Sequence, residues 1–162
     1  MAWSKNGTPD TLGSAGDVLQ ITDLTAKKFN VFLEHEIATG NIDNPTWTFN
    51  NNTNSVYADR VETNGGTDAT STSQSGVVAN VGNAEWDRFT IGYIVSVSGE
   101  EKLIINFTIA SNTAGAGNAP ARNQQVAKFV PSPDADITRV DVTNNGSGDF
   151  DTSSNISALG TD

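Results

Sequence analysis

Between Arg88 and Ala110 apolar side chains recur at every second position. Phe89, Ile91, Tyr93, Val95 and Val97 alternate mostly with Thr90, Gly92, Ser96 and Ser98. After Ser98-Gly99-Glu100-Glu101 the alternation resumes at Leu103, Ile105, Phe107 and Ile109. A period of two on both sides of a Gly-containing turn predicts a β-hairpin with one buried face, and these apolar residues are expected on it. Ile94 and Ile104 fall on the opposite face, which places the hairpin inside a sheet partly covered on both sides.

The same alternation, in shorter runs, extends along the chain. Strands are expected over 17–22, 29–37, 46–49, 55–62, 77–81, 123–130, 136–143 and 155–159. Asn50-Asn51-Asn52-Thr53-Asn54 and Asn144-Asn145-Gly146 mark turns, because Asn tolerates positive φ and closes Asx-turns. Residues 1–16, 63–75 and 112–121 read as loops rich in Gly, Ser, Thr and Asn. No segment carries a 3.6-residue apolar period. About nine or ten short strands at a spacing of roughly 8–12 residues predict an all-β chain. The expected architecture is one domain over 1–162, a jelly-roll-like antiparallel β-sandwich. Lys and Pro are too sparse to protect every sheet edge, so oligomerisation that covers an edge or a flat face is expected.

Composition narrows the function. The chain holds 18 Asn, 19 Thr, 14 Ser and 15 Gly, while charged residues make up 17%, against about 25% in an average soluble domain. An amide- and hydroxyl-rich surface follows, with few salt bridges. The net charge of −10 disfavours nucleic acid, which needs a basic face, and an anionic membrane. With no cysteine, disulfides and thiolate chemistry are excluded. Met1 to Gly7 contains no apolar signal-peptide core, and no apolar run approaches the ~20 residues of a membrane helix. Synthesis in a cytoplasm without secretion is the expectation.

Candidate chemistry is thin. His35 is the sole histidine, and on a strand it faces away from Glu34 and Glu36, so a local acid–base dyad is awkward. No nucleophile elbow, zinc-protease motif or phosphate loop occurs. Gly115-Ala116-Gly117 begins like a dinucleotide loop, but Pro120 stands where the third Gly is needed. An enzyme is not expected. Asp149, Asp151 and Asn155 place oxygen ligands in a loop at a spacing that can wrap calcium. Ser154 and Gly160 replace the Gly and Glu of a helix–loop–helix calcium site, and a polar Asx-capped turn accounts for the same residues. Asp134-Ala135-Asp136 is a weaker candidate of the same kind. No cofactor is otherwise implied. Trp3, Trp47, Trp86-Asp87 and Tyr57 among many Asn residues could build a carbohydrate site, although Trp in a sandwich more often fills core or subunit contacts.

Met1-Ala2-Trp3, Leu12-Gly13-Ser14-Ala15-Gly16-Asp17, Leu24-Thr25-Ala26-Lys27-Lys28, Phe49-Asn50-Asn51, Asn64-Gly65-Gly66, 112–120, Gly148-Asp149-Phe150-Asp151 and Leu159-Gly160-Thr161-Asp162 resemble segments of short proteins encoded by tailed viruses of environmental, largely aquatic microbes. The resemblance runs nearly the full length and carries turn and loop signatures, with no catalytic motif. It implies a virion-associated β-sandwich, displayed in several copies as a capsid decoration, a head or tail fibre, or a tail component. The partners then expected are further copies of the chain, with a trimer favoured, other virion proteins and a host surface glycan. Loops 63–75 and 112–121 are the expected contact surfaces through Asn64, Gly65, Gly66, Gly115, Gly117 and Asn118, and Trp3 is the expected subunit contact.

Overall fold

The alternating segments pair into antiparallel sheets. The computed structural model describes residues 2–79, 85–111, 113–131 and 135–162. Among them lie β1 (Ser4–Lys5), β2 (Asp10–Thr11), β3 (Val18–Ile21), β4 (Phe29–Glu36), β5 (Ala38–Thr39), β6 (Thr46–Phe49), β7 (Tyr57–Thr63) and β8 (Ala69–Gln74). They continue with β9 (Val77–Val78), β10 (Arg88–Val95), β11 (Lys102–Ala110), β12 (Ala121–Phe129), β13 (Val140–Thr143), β14 (Asp149–Phe150) and β15 (Asn155–Thr161). Ten of these have four or more residues, in line with the nine or ten read from the alternation.

A large sheet runs β1-β15-β4-β10-β11-β12-β7-β8, with β2 also pairing to β15. A smaller sheet, β3-β13-β6-β9, packs across it, and β14 pairs with β5. The chain is an all-β antiparallel sandwich. Its core forms where Leu19, Ile21, Trp47, Phe49, Val140 and Val142 of the small sheet meet Phe32, Ile94, Ile104, Phe129 and Ile156 of the large one. Phe32 and Trp47 meet edge to face at 5.9 Å, and Tyr57 stacks on Phe129 at 4.8 Å.

Turns follow their sequence signals. Asn50 and Asn51 take φ of 56° and 55°, and the Asn52 amide donates to the Phe49 carbonyl at 3.0 Å. Two consecutive positive φ values make a tight turn, here leading from β6 of the small sheet toward β7 of the large one. Asn64 and Gly65 repeat the device between Thr63 and Gly66, with φ of 53° and 79°. In the β10–β11 turn the buried Lys102 ammonium donates to the carbonyls of Val97 and Glu100 at 2.6 and 2.8 Å.

Three expectations change. Residues 63–75 are not one loop: Ala69–Gln74 forms β8 and pairs with β7. Its Ser- and Thr-rich sequence hides an edge strand held by main-chain bonds. Residues 1–16 likewise carry two short strands on β15. The strand expected over 136–143 begins only at Val140, because Asn50 takes the place of a ladder partner. Its side chain donates to the Asp136 carbonyl at 2.8 Å and accepts from the Thr138 amide at 2.8 Å. The 80–81 end of the expected 77–81 strand, Met1, Asn112, Pro133 and Asp134 lie outside the described residues.

Candidate functional site

The hairpin alternation is present, but it faces the other way. Arg88, Thr90, Gly92 and Ile94 of β10 are buried, as are Lys102, Ile104, Asn106, Thr108 and Ala110 of β11. The apolar positions that were expected to be buried look outward: Leu103 is 55% exposed, Ile109 49% and Tyr93 48%. A period of two says that the two faces differ and not which one is covered. The outcome depends on where the small sheet docks, and it docks on the polar face.

Much of that polar face is hydrogen-bonded internally, although Asn106 Oδ1 has no hydrogen-bond partner. The Trp47 indole N–H donates to Glu34 Oε2 at 2.8 Å, and the Thr90 and Thr108 hydroxyls share a hydrogen bond of 3.0 Å. Asn106 donates to Gln125 at 3.4 Å, and Gln125 donates to the Val78 carbonyl at 3.1 Å. Arg88 reaches Glu36 at 3.3 Å and the Ile42 carbonyl at 3.0 Å. Gly92 leaves the room for this arrangement, since a Cβ there would lie 2.8 Å from the Trp47 ring and from Asn106 Oδ1.

Glu34 and Glu36 are two residues apart and so project to the same side of β4. Burial pushes the Glu34 carboxyl well above the usual range, and the neighbouring Glu36 charge pushes it further. Burial also raises Glu36, opposed by the Arg88 guanidinium. Of the two, Glu34 is the one whose surroundings favour the protonated form, while the Arg88 guanidinium favours charge on Glu36. Two paired carboxyls are a catalytic signature only where substrate can reach them. At 0% and 1% exposure they cannot be reached. His35 points outward, as its alternation required.

The outward face of the large sheet is assembled by register. Val31, Tyr93, Ile105 and Val126 lie side by side across β4, β10, β11 and β12, with Leu159 of β15 at one end and Arg60 of β7 at the other. The rows on either side hold Leu33-Ile91-Phe107-Gln124 and Phe29-Val95-Leu103-Lys128. A fourth row runs His35-Phe89-Ile109-Arg122. Most exposed large apolar side chains among the described residues sit here; Trp3, Val18, Val97 and Val130 are the others. A depression of about 460 Å³, lined among others by Arg60, Thr70, Leu103, Ile105 and Val126, indents its β7 side. The rim is charged but paired, Arg122 with Glu62 at 3.5 Å, Lys128 with Glu101 at 3.0 Å and Arg60 with Asp68 at 3.7 Å.

The residues singled out from sequence are scattered around this face and not gathered by it. Trp3 is 49% exposed beside β1. Asn64 and Gly65 form the β7–β8 turn, where the Asn64 side chain accepts from the Arg122 amide at 2.9 Å, and the Gly66 amide closes the turn on Thr63. Gly115, Gly117 and Asn118 belong to an exposed segment in which Asn118 donates to the Gly115 and Ala114 carbonyls at 3.1 Å. Asp149 lies on β14, Asp151 accepts from the Thr152 amide at 2.7 Å, and Asn155 donates to the Ser153 carbonyl at 3.0 Å. Among the described residues no group of three or more His, Cys, Asp or Glu side chains converges. Of the proposed sugar contacts, Trp47 and Tyr57 are buried in the core and Trp86 is half-buried against Ala110 and Ala121. The sequence reading missed Phe29, Val31, Leu33, Val126 and Leu159 as outward residues. No local signal marks them, because the polar character of the alternate positions points to the opposite face.

Comparison with known proteins returns no match: no family model fits the chain, and no curated protein or solved structure is significantly similar to it.

Proposed function

We propose that this chain is a non-enzymatic structural protein of a virus particle, a self-associating sandwich serving as a capsid decoration, a fibre or a tail component. The observation that carries the reading is the apolar outward face of β4, β10 and β11. A chain of net charge −10 with a sparsely charged surface has little reason to leave so many aliphatic and aromatic side chains in water unless another surface covers them. The neighbouring acids Glu34 and Glu36 are sealed inside, out of reach of a substrate. The resemblance to tailed-virus proteins supplies the setting. Antibody against the chain should label purified particles in electron micrographs, and mass spectrometry should find it there in multiple copies. Its confinement to the soluble fraction of the lysate would refute the reading.

A second reading, recognition of a host glycan, has one observation in its favour. A polar groove of about 340 Å³ on the outer side of the small sheet is lined by Thr46, Thr48, Arg139, Asp141 and Asn145 among others. Arg139 is held against Asp141 by bonds of 2.6 to 3.0 Å. Hydroxyls, an amide and an ion pair are suitable partners for sugar hydroxyls, but no Trp lines this groove. Binding on a glycan array that Asn145→Ala removes would support this reading, and silence across the array would end it.

A further inference from the structure

We infer that the outward face of β4, β10 and β11 is covered by the same face of another copy of this chain, sheet against sheet, in a closed homo-oligomer. The inference rests on the structural reading above and names the surface that does the work. Size is the first support. Three strands at ~4.8 Å and four rows at ~6.7 Å enclose roughly 390 Å² in projection, and Val126 of β12 and Leu159 of β15 extend the apolar surface on either side. A standard interface takes about 800 Å² per partner, rim included, and the largest apolar patch on an ordinary monomer, often a functional one, is about 300–600 Å².

Composition is the second support. The centre of the face carries Phe, Tyr, Ile, Leu and Val, His35 stands at its edge on β4, and the flanking strands contribute polar and charged residues, which is the core-and-rim layout of a protein interface. Arg60, Arg122 and Lys128 on the rim are matched within their own chain by Asp68, Glu62 and Glu101. The rim therefore asks for no oppositely charged partner.

Charge is the third. Two copies of a chain with net charge −10 repel over most of their surfaces, and this uncharged centre is where they can meet. The same net charge works against an anionic lipid surface, which needs a basic rim. Two such faces packed about 10 Å apart would interdigitate as the layers of a sandwich do. The depression beside Ile105 and Val126 gives a projecting side chain of the partner somewhere to seat.

The test is light scattering and sedimentation of the whole chain between about 1 and 100 μM. The expected result is a mass about twice 17.0 kDa that does not fall in about 1 M NaCl, since apolar contacts are not screened. Ile105→Lys, at a position 48% exposed in the single chain, should return the mass to one chain with an unchanged far-ultraviolet spectrum. Val18→Lys, an exposed apolar position on the opposite sheet, should leave the oligomer intact. Should Ile105→Lys misfold, carbene footprinting of the unaltered chain replaces it, and labelling of Phe107 and Tyr93 should drop as concentration rises. A monomer at about 100 μM overturns the inference. So does an oligomer that Ile105→Lys leaves whole, and so does a monomer that floats with phosphatidylcholine vesicles, which would assign the face to lipid. A monomer that still labels particles would sink this inference alone, whereas an oligomer absent from particles would sink only the structural reading.

Discussion

Glu34→Gln isolates the proton held in the middle of the sandwich. The amide keeps an oxygen for the Trp47 N–H, which now donates to Glu34 at 2.8 Å, and its NH2 can donate to Glu36 in place of the carboxyl proton. Only the titration is removed. Because the folded-state value of Glu34 is raised well above its ordinary 4.5, below about that pH both folded and unfolded chains hold the proton and folding gains or loses nothing. As pH climbs, the unfolded chain releases the proton first. Stability then falls by about 1.4 kcal/mol per pH unit for this one group until the folded value is passed. Buried Glu36 slopes the same way, so the informative quantity is the difference between the two proteins. Urea unfolding at a fixed protomer concentration, at pH 4, 5 and 6, should give nearly equal stabilities at pH 4. Above pH 4 the substituted protein should gain steadily on the original as pH rises. Parallel pH profiles, or a uniform loss at every pH, would mean that Glu34 is ionised in the folded chain and that the proton assignment is wrong.

Gly92→Ala places a methyl group 2.8 Å from the Trp47 ring and from Asn106 Oδ1, and the overpacking should cost roughly 1–3 kcal/mol in urea unfolding; a neutral result would show that Trp47 shifts freely. Thr90→Val or Thr108→Val alone should cost about 1–3 kcal/mol by orphaning the other hydroxyl, whereas the double substitution should return close to the starting stability. Strict additivity in that cycle would mean that the 3.0 Å hydroxyl pair is not a bond. Burial raises the Tyr57 phenol to about 12, so its ultraviolet titration should show a late tyrosine step that Tyr57→Phe deletes. Folding should weaken above about pH 10, where the unfolded phenol already ionises.

Much of the architecture was legible because strands advertise themselves by alternation. The 88–110 hairpin forms with its turn around Gly99, and His35 points away from Glu34 and Glu36. What stayed hidden has a common cause, namely that a local pattern does not report long-range partners. β8 has no apolar residue larger than Ala69 and reads as loop, yet β7 supplies its ladder. Arg88, Thr90, Asn106 and Thr108 read as solvent-facing because nothing near them in sequence announces Trp47, Glu34 or Gln125 as partners. The inverted sheet follows from the same blindness: Leu19, Trp47, Phe49 and Val142 are far from the hairpin in sequence and choose its other side. The candidate face was therefore present in the sequence as a list of residues but assigned to the wrong side.

β15 occupies an inner place in the large sheet, between β1 and β4, although its residues, 155–161, come last among the strands. Until residue 161 has left the ribosome, the edges of β1 and β4 have nothing to bond and the Ile156 seat in the core is empty. The sandwich is thus closed after translation of this segment and not during it. A stalled or truncated product would carry an open seam beside the greasiest surface of the molecule, a species fit for degradation and not for assembly.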